Sequence, residues 1–157
     1  YMKSKIVLCI LMIFMLFTMS SCKVKKYSQI EEVYYNEILS KSSLSATKSY
    51  YVLVYRTGCA VCEVVEPYVC EYANIVKKYP AIDKIYVLNK SDKKNNGGIA
   101  AGAGVATNTA VGATKYTQIK LASAPVLLKI KAGKVVAMYD TKTKILEELN
   151  SLISKYE

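Results

Sequence analysis

A Cys-x-x-Cys pair at the junction of a predicted strand and a predicted helix constrains this chain more than any other feature. Residues 50–55 are strand-like and run directly into Cys59 and Cys62. Apolar residues then recur at helical spacing: Val61, Val65, Tyr68, Val69, Tyr72, Val76 and Tyr79. The first thiol is therefore expected at a helix N-terminus, where the helix dipole favours the thiolate. The second lies one turn in, so one sulfur can attack a disulfide and the other can resolve the mixed disulfide, which predicts a redox protein.

The N-terminal residues have the pattern of an export signal. The apolar run 6–17 follows two lysines and is shorter than the roughly 20 residues that span a bilayer, but it suits a signal-peptide core. It leads into Met19-Ser20-Ser21-Cys22, which resembles the lipobox of bacterial lipoproteins, with methionine in place of the usual leucine. We therefore expect residues 1–21 to be a lipoprotein signal peptide and Cys22 to be lipidated. A non-lipidated signal peptide or a short anchor helix is the alternative.

Residues 22–28 are expected to form a lipidated tether. Lys23, Lys25 and Lys26 follow Cys22 directly, and basic residues beside a lipid anchor are attracted to anionic headgroups. A solvated linker is compatible with the same pattern. We expect the tether to hold the protein at the membrane surface, facing outside the cytoplasm.

Composition excludes several classes of function. The chain carries 22 Lys and Arg against 12 Asp and Glu, but the lysines beyond the tether are scattered and no nucleic-acid-binding motif is present. We therefore predict no nucleic-acid partner. The chain has no histidine, which excludes Cys/His zinc sites and His-dependent catalytic triads. No cofactor is predicted.

Residues 29–157 are expected to form a single domain. A capping-box pattern opens a predicted helix over 28–41, and Ala- and Gly-rich residues within 95–113 predict a flexible loop. Pro67 should kink the helix that follows the cysteine pair, and Pro80 should stop it. The patterns predict these further elements: a strand at 84–88, a helix around 109–119, strands at 125–130 and 134–139 joined by a hairpin, and a C-terminal helix carrying Ile145, Leu149, Leu152, Ile153 and Tyr156.

This order of elements resembles the thioredoxin superfamily, in particular the membrane-tethered thioredoxin-like lipoproteins of bacteria. The resemblance covers about residues 28–157. It rests on Cys59-Ala60-Val61-Cys62, on Pro67 at the family's spacing, on Ser123-Ala124-Pro125 opening a strand, and on the hairpin Lys131-Ala132-Gly133-Lys134. The resemblance implies an α/β fold, a three-layer sandwich with a mixed central sheet of about four strands flanked by helices.

The resemblance also implies roles for three residues. Cys59 would be the attacking thiolate, Cys62 the resolving thiol, and Pro125 a cis proline that packs against the disulfide. The backbone of Ala124 would then face the cysteines, where an extended client peptide could pair with it. An inert disulfide at a helix start is the alternative for the pair.

The chain departs from the family at several positions around the pair. Leu53 stands where thioredoxins carry a buried acid that helps proton transfer to the resolving cysteine, and Val87 stands where they carry its lysine partner. Gly58 replaces the tryptophan before the first cysteine. Glu63 and Glu66 are near in sequence and would raise the pKa of a neighbouring thiol, whereas Arg56 would act in the opposite direction on Cys59.

Cys70 is the remaining cysteine of the expected mature protein. On a helix it lies about 80° away from the face of Cys62. A buried free cysteine is one interpretation; a third redox thiol or a mixed-disulfide site is the other, because an odd cysteine in an exported protein needs explaining.

Three classes of function follow from these patterns. The first is a membrane-anchored thiol–disulfide oxidoreductase, a monomer that acts on the thiols and disulfides of exported proteins and is served by a membrane redox partner. The second is a redox-inactive binding or accessory lipoprotein that keeps the fold as a scaffold. The third is soft-metal binding by Cys59, Cys62 and Cys70; the helical offset of Cys70 argues against it, and no metal site is predicted.

Overall fold

The computed structural model describes residues 22–41, 48–95 and 107–156. The predicted signal peptide, residues 1–21, and most of the Ala- and Gly-rich loop, residues 96–106, lie outside the described residues. Within the described part of the chain, no helix is both long enough and apolar enough to cross a bilayer.

Four strands form one mixed sheet in the order β2-β1-β3-β4. They are β1 (Ser49–Tyr55), β2 (Lys84–Asn89), β3 (Val126–Lys131) and β4 (Lys134–Tyr139). β1 is parallel to β2 and antiparallel to β3, and β3 is antiparallel to β4. All four are rich in the β-branched and aromatic residues that favour a pleated, buried surface. The predicted strands are confirmed, and no strand end differs from its predicted position by more than one residue.

β1 is an inner strand of the sheet and is buried on both faces. Tyr51 and Leu53 lie in one apolar cluster, and Val52 and Val54 lie in the other. Successive side chains of a strand point to opposite faces, so an uninterrupted apolar run suits a strand with a core on each side. The cysteine pair therefore follows the most deeply buried strand.

Two α-helices, α1 (Ala60–Lys78) and α2 (Lys142–Ile153), cover one face of the sheet. α1 ends two residues before Pro80, as the steric restriction on the residue before a proline requires. Thr141 caps α2 by accepting a hydrogen bond from the Lys144 backbone N–H at 3.3 Å. Residues buried between the helices and the sheet include Val65, Val69, Tyr72, Ile145, Leu149 and Ile153. Both helices were predicted and are confirmed.

The predicted helix over 28–41 is wrong. The structure has two short 3-10 helices there, Tyr27–Gln29 and Tyr35–Glu37. Between them Glu32 forms a parallel bridge with Val87, whose N–H donates to the Glu31 carbonyl at 3.1 Å. The free edge of β2 presents backbone groups that need partners, and the extended segment supplies them.

The apolar residues of this segment explain why a helix does not form. Ile30 packs in the cluster with α1 and α2, whereas Val33 and Ile38 pack in the cluster on the opposite face of the sheet. One helical stripe could not reach both faces, so burial of these side chains outweighs the local helical pattern.

The predicted helix around 109–119 is also wrong. Thr109 pairs with Lys120 in an antiparallel bridge, and only Tyr116–Gln118 is helical, as a 3-10 turn. Gly112 has φ +91, outside the helical region, and its N–H donates to the Val135 carbonyl at 2.8 Å. The segment therefore pairs with the first residues of β4 instead of forming its own helix.

These two irregular segments cover the second face of the sheet. The cluster there joins β-sheet residues such as Val52 and Val54 to residues of the segments: Val33, Ile38, Ala110, Ile119 and Leu121. The predicted α/β class with a mixed four-stranded sheet between two covering layers is confirmed. Helices form one of those layers, and short 3-10 turns and bridges form the other.

The expected tether also packs on the domain. Val24 is 3% exposed and Tyr27 is 6% exposed, and both belong to the cluster that contains α1 and α2. Cys22 and the lysines between them remain exposed. Residues 22–28 are therefore attached to the surface of α1 through two buried side chains.

The layer formed by the two irregular segments is expected to stabilise the fold, as the layer formed by α1 and α2 does. Ile38 is fully buried, so Ile38→Ala should lower the free energy of unfolding by about 2–5 kcal/mol in urea titrations. Val136→Ala serves as the control because Val136 is 43% exposed, and its effect should stay within about 0.5 kcal/mol. Equal, small effects of both changes would show that this layer does not form part of the core.

Candidate active site

The cysteine pair lies at the start of α1 and is bonded as Cys59–Cys62, with the two Cα atoms 5.2 Å apart. Gly58, at φ +69, makes the turn that takes the chain from β1 into α1. Cys59 is the N-cap residue, and its Sγ accepts a hydrogen bond from the Cys62 backbone N–H at 3.2 Å. Both cysteines are buried, at 6% and 2% exposure. The predicted pair is therefore formed where the sequence places it.

The helix start gives the two sulfurs different surroundings. The Sγ of Cys59 faces the unpaired N–H groups of the first turn, where a negative charge is stabilised by the helix dipole. Cys62 lies inside the helix, where its sulfur is away from the unpaired N–H groups, although both cysteines belong to the apolar cluster under α1. A thiolate is therefore better stabilised on Cys59 than on Cys62.

The loop before β3 lies against the pair. The Ala124–Pro125 bond is cis, and the Ala124 carbonyl oxygen is 3.7 Å from the Cys59 Sγ. Pro125 itself is buried. The structure thus places the Cys59–Cys62 pair beside the Ala124–Pro125 bond, the arrangement that the family resemblance implies for Cys59, Cys62 and Pro125.

The sheet beneath the pair is apolar. Leu53 and Val87 face each other in the register of β1 and β2, are 0% and 2% exposed, and share a cluster with both cysteines. At the two positions where the resemblance would place an acid and its lysine partner, this protein therefore has hydrocarbon side chains. Proton transfer to or from Cys62 cannot use a carboxylate at those two positions.

Two apolar side chains beside the pair are exposed, which the helical pattern did not predict for Val61. Val61 is 43% exposed and Val64 is 50% exposed, one on each side of Cys62 in the sequence. Their position in the first turn of α1 could have predicted this exposure. Side chains of that turn that face away from the sheet have no other element to pack against in the described part of the chain. They form an exposed apolar rim beside the pair.

Tyr27 is a second feature of the site that sequence reasoning missed. Its hydroxyl donates a hydrogen bond to the Cys62 carbonyl at 2.6 Å, across 35 residues of sequence. No local pattern signals a contact of that separation. It extends the site to the residues that follow Cys22.

Cys70 is a buried free thiol, 3% exposed, and is not joined to the pair. It lies beside Glu66 and Pro67 at the floor of a groove of about 610 Å³ between α1 and residues 23–26. Burial and, to a smaller extent, Glu66 raise the pKa of the Cys70 thiol, Lys26 opposes them, and the resulting pKa is about 11. Within residues 22–41, 48–95 and 107–156, no three Cys, Asp or Glu side chains are grouped closely enough to hold a metal ion.

The Cys70 thiol should react slowly in the folded protein. With the pair oxidised and Cys22 replaced by serine, iodoacetamide at pH 8 should modify Cys70 about 100-fold more slowly than a thiol of pKa 9.0, the ordinary value, because only thiolate reacts. The rate should rise until the pH passes about 11. The same protein unfolded in urea is the control, and equal rates in the two states at pH 8 would contradict the burial of this thiol.

The raised pKa of the Cys70 thiol also affects the stability of the folded protein. The folded state keeps the Cys70 proton between pH 9 and pH 11 whereas the unfolded state releases it, so the protein should lose stability as pH rises through that window.

The fold of this chain is similar to that of solved thioredoxin structures. The chain is similar to thioredoxin f2 in its complex with ferredoxin:thioredoxin reductase, with a TM-score of 0.50, 16% identity, and coverage of 85% of this chain and 96% of that one. It is also similar to thioredoxin f2 of Chlamydomonas reinhardtii (TM-score 0.49, 13% identity, 82% and 96% coverage) and to thioredoxin f of spinach chloroplast (0.49, 16%, 85% and 88%). No protein-family model and no curated protein matches the chain. The likeness to the first of these structures gives the chain a thioredoxin-like fold, as the family resemblance implied.

Proposed function

We propose that this protein is a thiol–disulfide oxidoreductase that works by exchange at Cys59–Cys62. The observation that carries the proposal is the position of Cys59 as N-cap of α1, with its Sγ on the Cys62 N–H and 3.7 Å from the Ala124 carbonyl oxygen. The N–H groups at the helix start would stabilise a thiolate on Cys59, and the Ala124 carbonyl, itself an acceptor, places a backbone edge beside the sulfur. The thioredoxin-like fold supports the proposal without deciding it.

The exchange runs in two steps. In the reduced protein the Cys59 thiolate attacks a client disulfide, forms a bond to one client sulfur and expels the other as a thiolate. Cys62 then loses its proton and attacks the Cys59 Sγ, which breaks the mixed disulfide and releases the second client thiolate. Two electrons pass to the client and the Cys59–Cys62 disulfide forms. A dithiol donor must reduce that disulfide again, and the same steps in reverse oxidise a client dithiol.

Client binding would use the surroundings of the pair. An extended client segment can pair with the backbone of Ala124, while its apolar side chains cover Val61 and Val64. Pro125 would hold that backbone edge beside the sulfurs. Binding of this kind would depend on the main chain of the client more than on its side chains, which suits an enzyme with several clients.

The roles of the two cysteines can be separated by substitution. Cys59→Ser should reduce insulin disulfides no faster than the dithiothreitol background, because the attacking sulfur is lost. Cys62→Ser should instead accumulate mixed disulfides through Cys59, since the resolving thiol is missing. Non-reducing gels of the two variants after incubation with insulin measure the difference.

Cys70→Ser is the matched control and should keep the wild-type rate. Equal trapping by the Cys59→Ser and Cys62→Ser variants would refute the assignment of roles. A folded wild-type protein without reductase or oxidase activity would favour the redox-inactive binding protein, which the apolar Leu53 beneath the pair makes the second candidate.

We further propose that the protein is held outside the cytoplasmic membrane by a lipid on Cys22 and acts on exported proteins. Support comes from the lipobox-like Met19-Ser20-Ser21-Cys22 and from the exposure of Cys22 and of Lys23, Lys25 and Lys26. Their charges would add attraction to anionic headgroups. A membrane redox partner would then supply or remove electrons.

Replacing the proposed lipid site should release the protein. Cys22→Ser, expressed as the full chain, should move from the membrane fraction to the soluble extracytoplasmic fraction, because the residues after 22 give only weak electrostatic attachment. Cys70→Ser is the control and should stay with membranes. A Cys22→Ser variant that also stays with membranes would show that another segment anchors the chain.

A further inference from the structure

We infer that the N-terminal segment, residues 22–29, is part of the redox site, and that Tyr27 is a positioning residue for the Cys59–Cys62 pair. The inference deepens the proposed function and rests on it. It assigns a second task to residues that the sequence presents only as a tether: they hold the first turn of α1.

The segment is fastened along α1 at several points. Asn74 makes two hydrogen bonds to the backbone of Val24, accepting from its N–H at 2.8 Å and donating to its carbonyl at 3.0 Å. The Lys77 Nζ donates to the Cys22 carbonyl at 3.2 Å. Val24 is 3% exposed. The side-chain amide of Asn74 thus acts as a partner for an extended backbone, and fixes its position along the helix.

Glu66 makes the next attachment, one turn after Cys62. Its Oε1 accepts the Tyr27 backbone N–H at 2.8 Å, and its Oε2 pairs with the Lys26 Nζ at 3.3 Å. The Glu66 side chain is only 15% exposed. A carboxylate with a backbone N–H and an ammonium as partners has little freedom to rotate, so it fixes where Tyr27 enters the domain.

Tyr27 carries the attachment into the redox site. Its ring packs on Tyr55, the last residue of β1, with centroids 4.4 Å apart, and its hydroxyl donates to the Cys62 carbonyl at 2.6 Å. Burial raises the pKa of Tyr27 above its ordinary value, so the hydroxyl keeps its proton as a donor. The peptide unit between Cys62 and Glu63 makes a second hydrogen bond, since the Glu63 N–H donates to the Cys59 carbonyl at 3.1 Å. The hydrogen bonds from Tyr27 to Cys62 and from Glu63 to Cys59 therefore form a continuous chain.

This chain of bonds links Tyr27 to both cysteines. The hydroxyl polarises the peptide between Cys62 and Glu63, and the polarised N–H binds the Cys59 carbonyl more strongly. The first turn is thereby held with the Cys62 N–H directed at the Cys59 Sγ, which is the bond that a Cys59 thiolate needs. The positive end of the hydroxyl dipole also faces this turn, so geometry and electrostatics act in the same direction.

Loss of the hydroxyl should therefore disfavour the reduced, thiolate-containing state. Tyr27→Phe should shift the equilibrium of the pair with glutathione about threefold toward the disulfide, which is about 14 mV at 29.6 mV per tenfold change. The pH midpoint of Cys59 alkylation in the reduced protein should rise in parallel. Neither measurement needs a client.

Tyr72→Phe is the matched control. Tyr72 lies on α1, ten residues after Cys62, and its hydroxyl also donates to a backbone carbonyl, that of Asp83, at 2.7 Å. The control should lower the thermal midpoint about as much as Tyr27→Phe and leave the glutathione equilibrium and the alkylation midpoint unchanged. Asn74→Ala, which frees Val24 without touching the site, should shift both redox measurements in the direction of Tyr27→Phe, by less.

Two results would overturn the inference: unchanged redox measurements in Tyr27→Phe, or equal shifts in Tyr27→Phe and Tyr72→Phe, which would reduce Tyr27 to a structural role. Should Tyr27→Phe fail to fold, the Asn74→Ala shift decides, and its absence counts against the inference. A wild-type protein that fails to reduce insulin, while the Tyr27→Phe shift is observed, refutes the proposed function and leaves the positioning role intact.

Discussion

The start of α1 is the constraint on which the rest of the structure depends. The first turn of any helix leaves N–H groups without partners inside the helix. Here the Cys62 N–H is satisfied by the sulfur of Cys59 rather than by the oxygen of a Ser, Thr or Asp cap. In the proposed function, the cap atom and the attacking atom are therefore the same. A change that disturbs the helix start would then also disturb the proposed exchange reaction, so that stability and reactivity are coupled.

The two faces of the sheet meet different demands. One face carries α1 and α2, whose regular apolar stripes match a flat surface. The other face is covered by residues 33–38 and 110–121, which must at the same time supply backbone partners to Val87 of β2 and Val135 of β4. Extended bridges and 3-10 turns can do both, whereas a continuous helix satisfies its own N–H and C=O groups and offers none to a strand.

The difference between the two covering layers of the sheet explains how much of the structure could be predicted from the sequence. The strands, α1, α2 and the cysteine pair at the start of α1 follow from local patterns: β-branched runs, an i, i+3, i+4 stripe, and Gly or Pro at the turns. The place of Pro125 beside the pair was implied by the family resemblance. The helices predicted over 28–41 and 109–119 are wrong because their apolar residues meet partners from distant parts of the chain. The contact of Tyr27 with Cys62 was not predictable either, since the two residues are separated by 35 positions and neither belongs to a motif that includes the other.

The contacts that Tyr27 makes with the cysteine pair are important because the sheet beneath the pair is apolar. Because the side chains of Leu53 and Val87 carry no polar group, the polar contacts of the pair come from the helix start, where the Cys62 N–H binds the Cys59 sulfur, and from Tyr27, whose hydroxyl binds the Cys62 carbonyl. Tyr27 in turn is held by Glu66, and Val24 by Asn74. The polar surroundings of the redox pair are thus continuous with the segment that begins at Cys22. A lipid on Cys22, as proposed, would place the membrane attachment only a few residues from a hydrogen bond to the resolving cysteine, so that attachment and redox chemistry share one set of contacts.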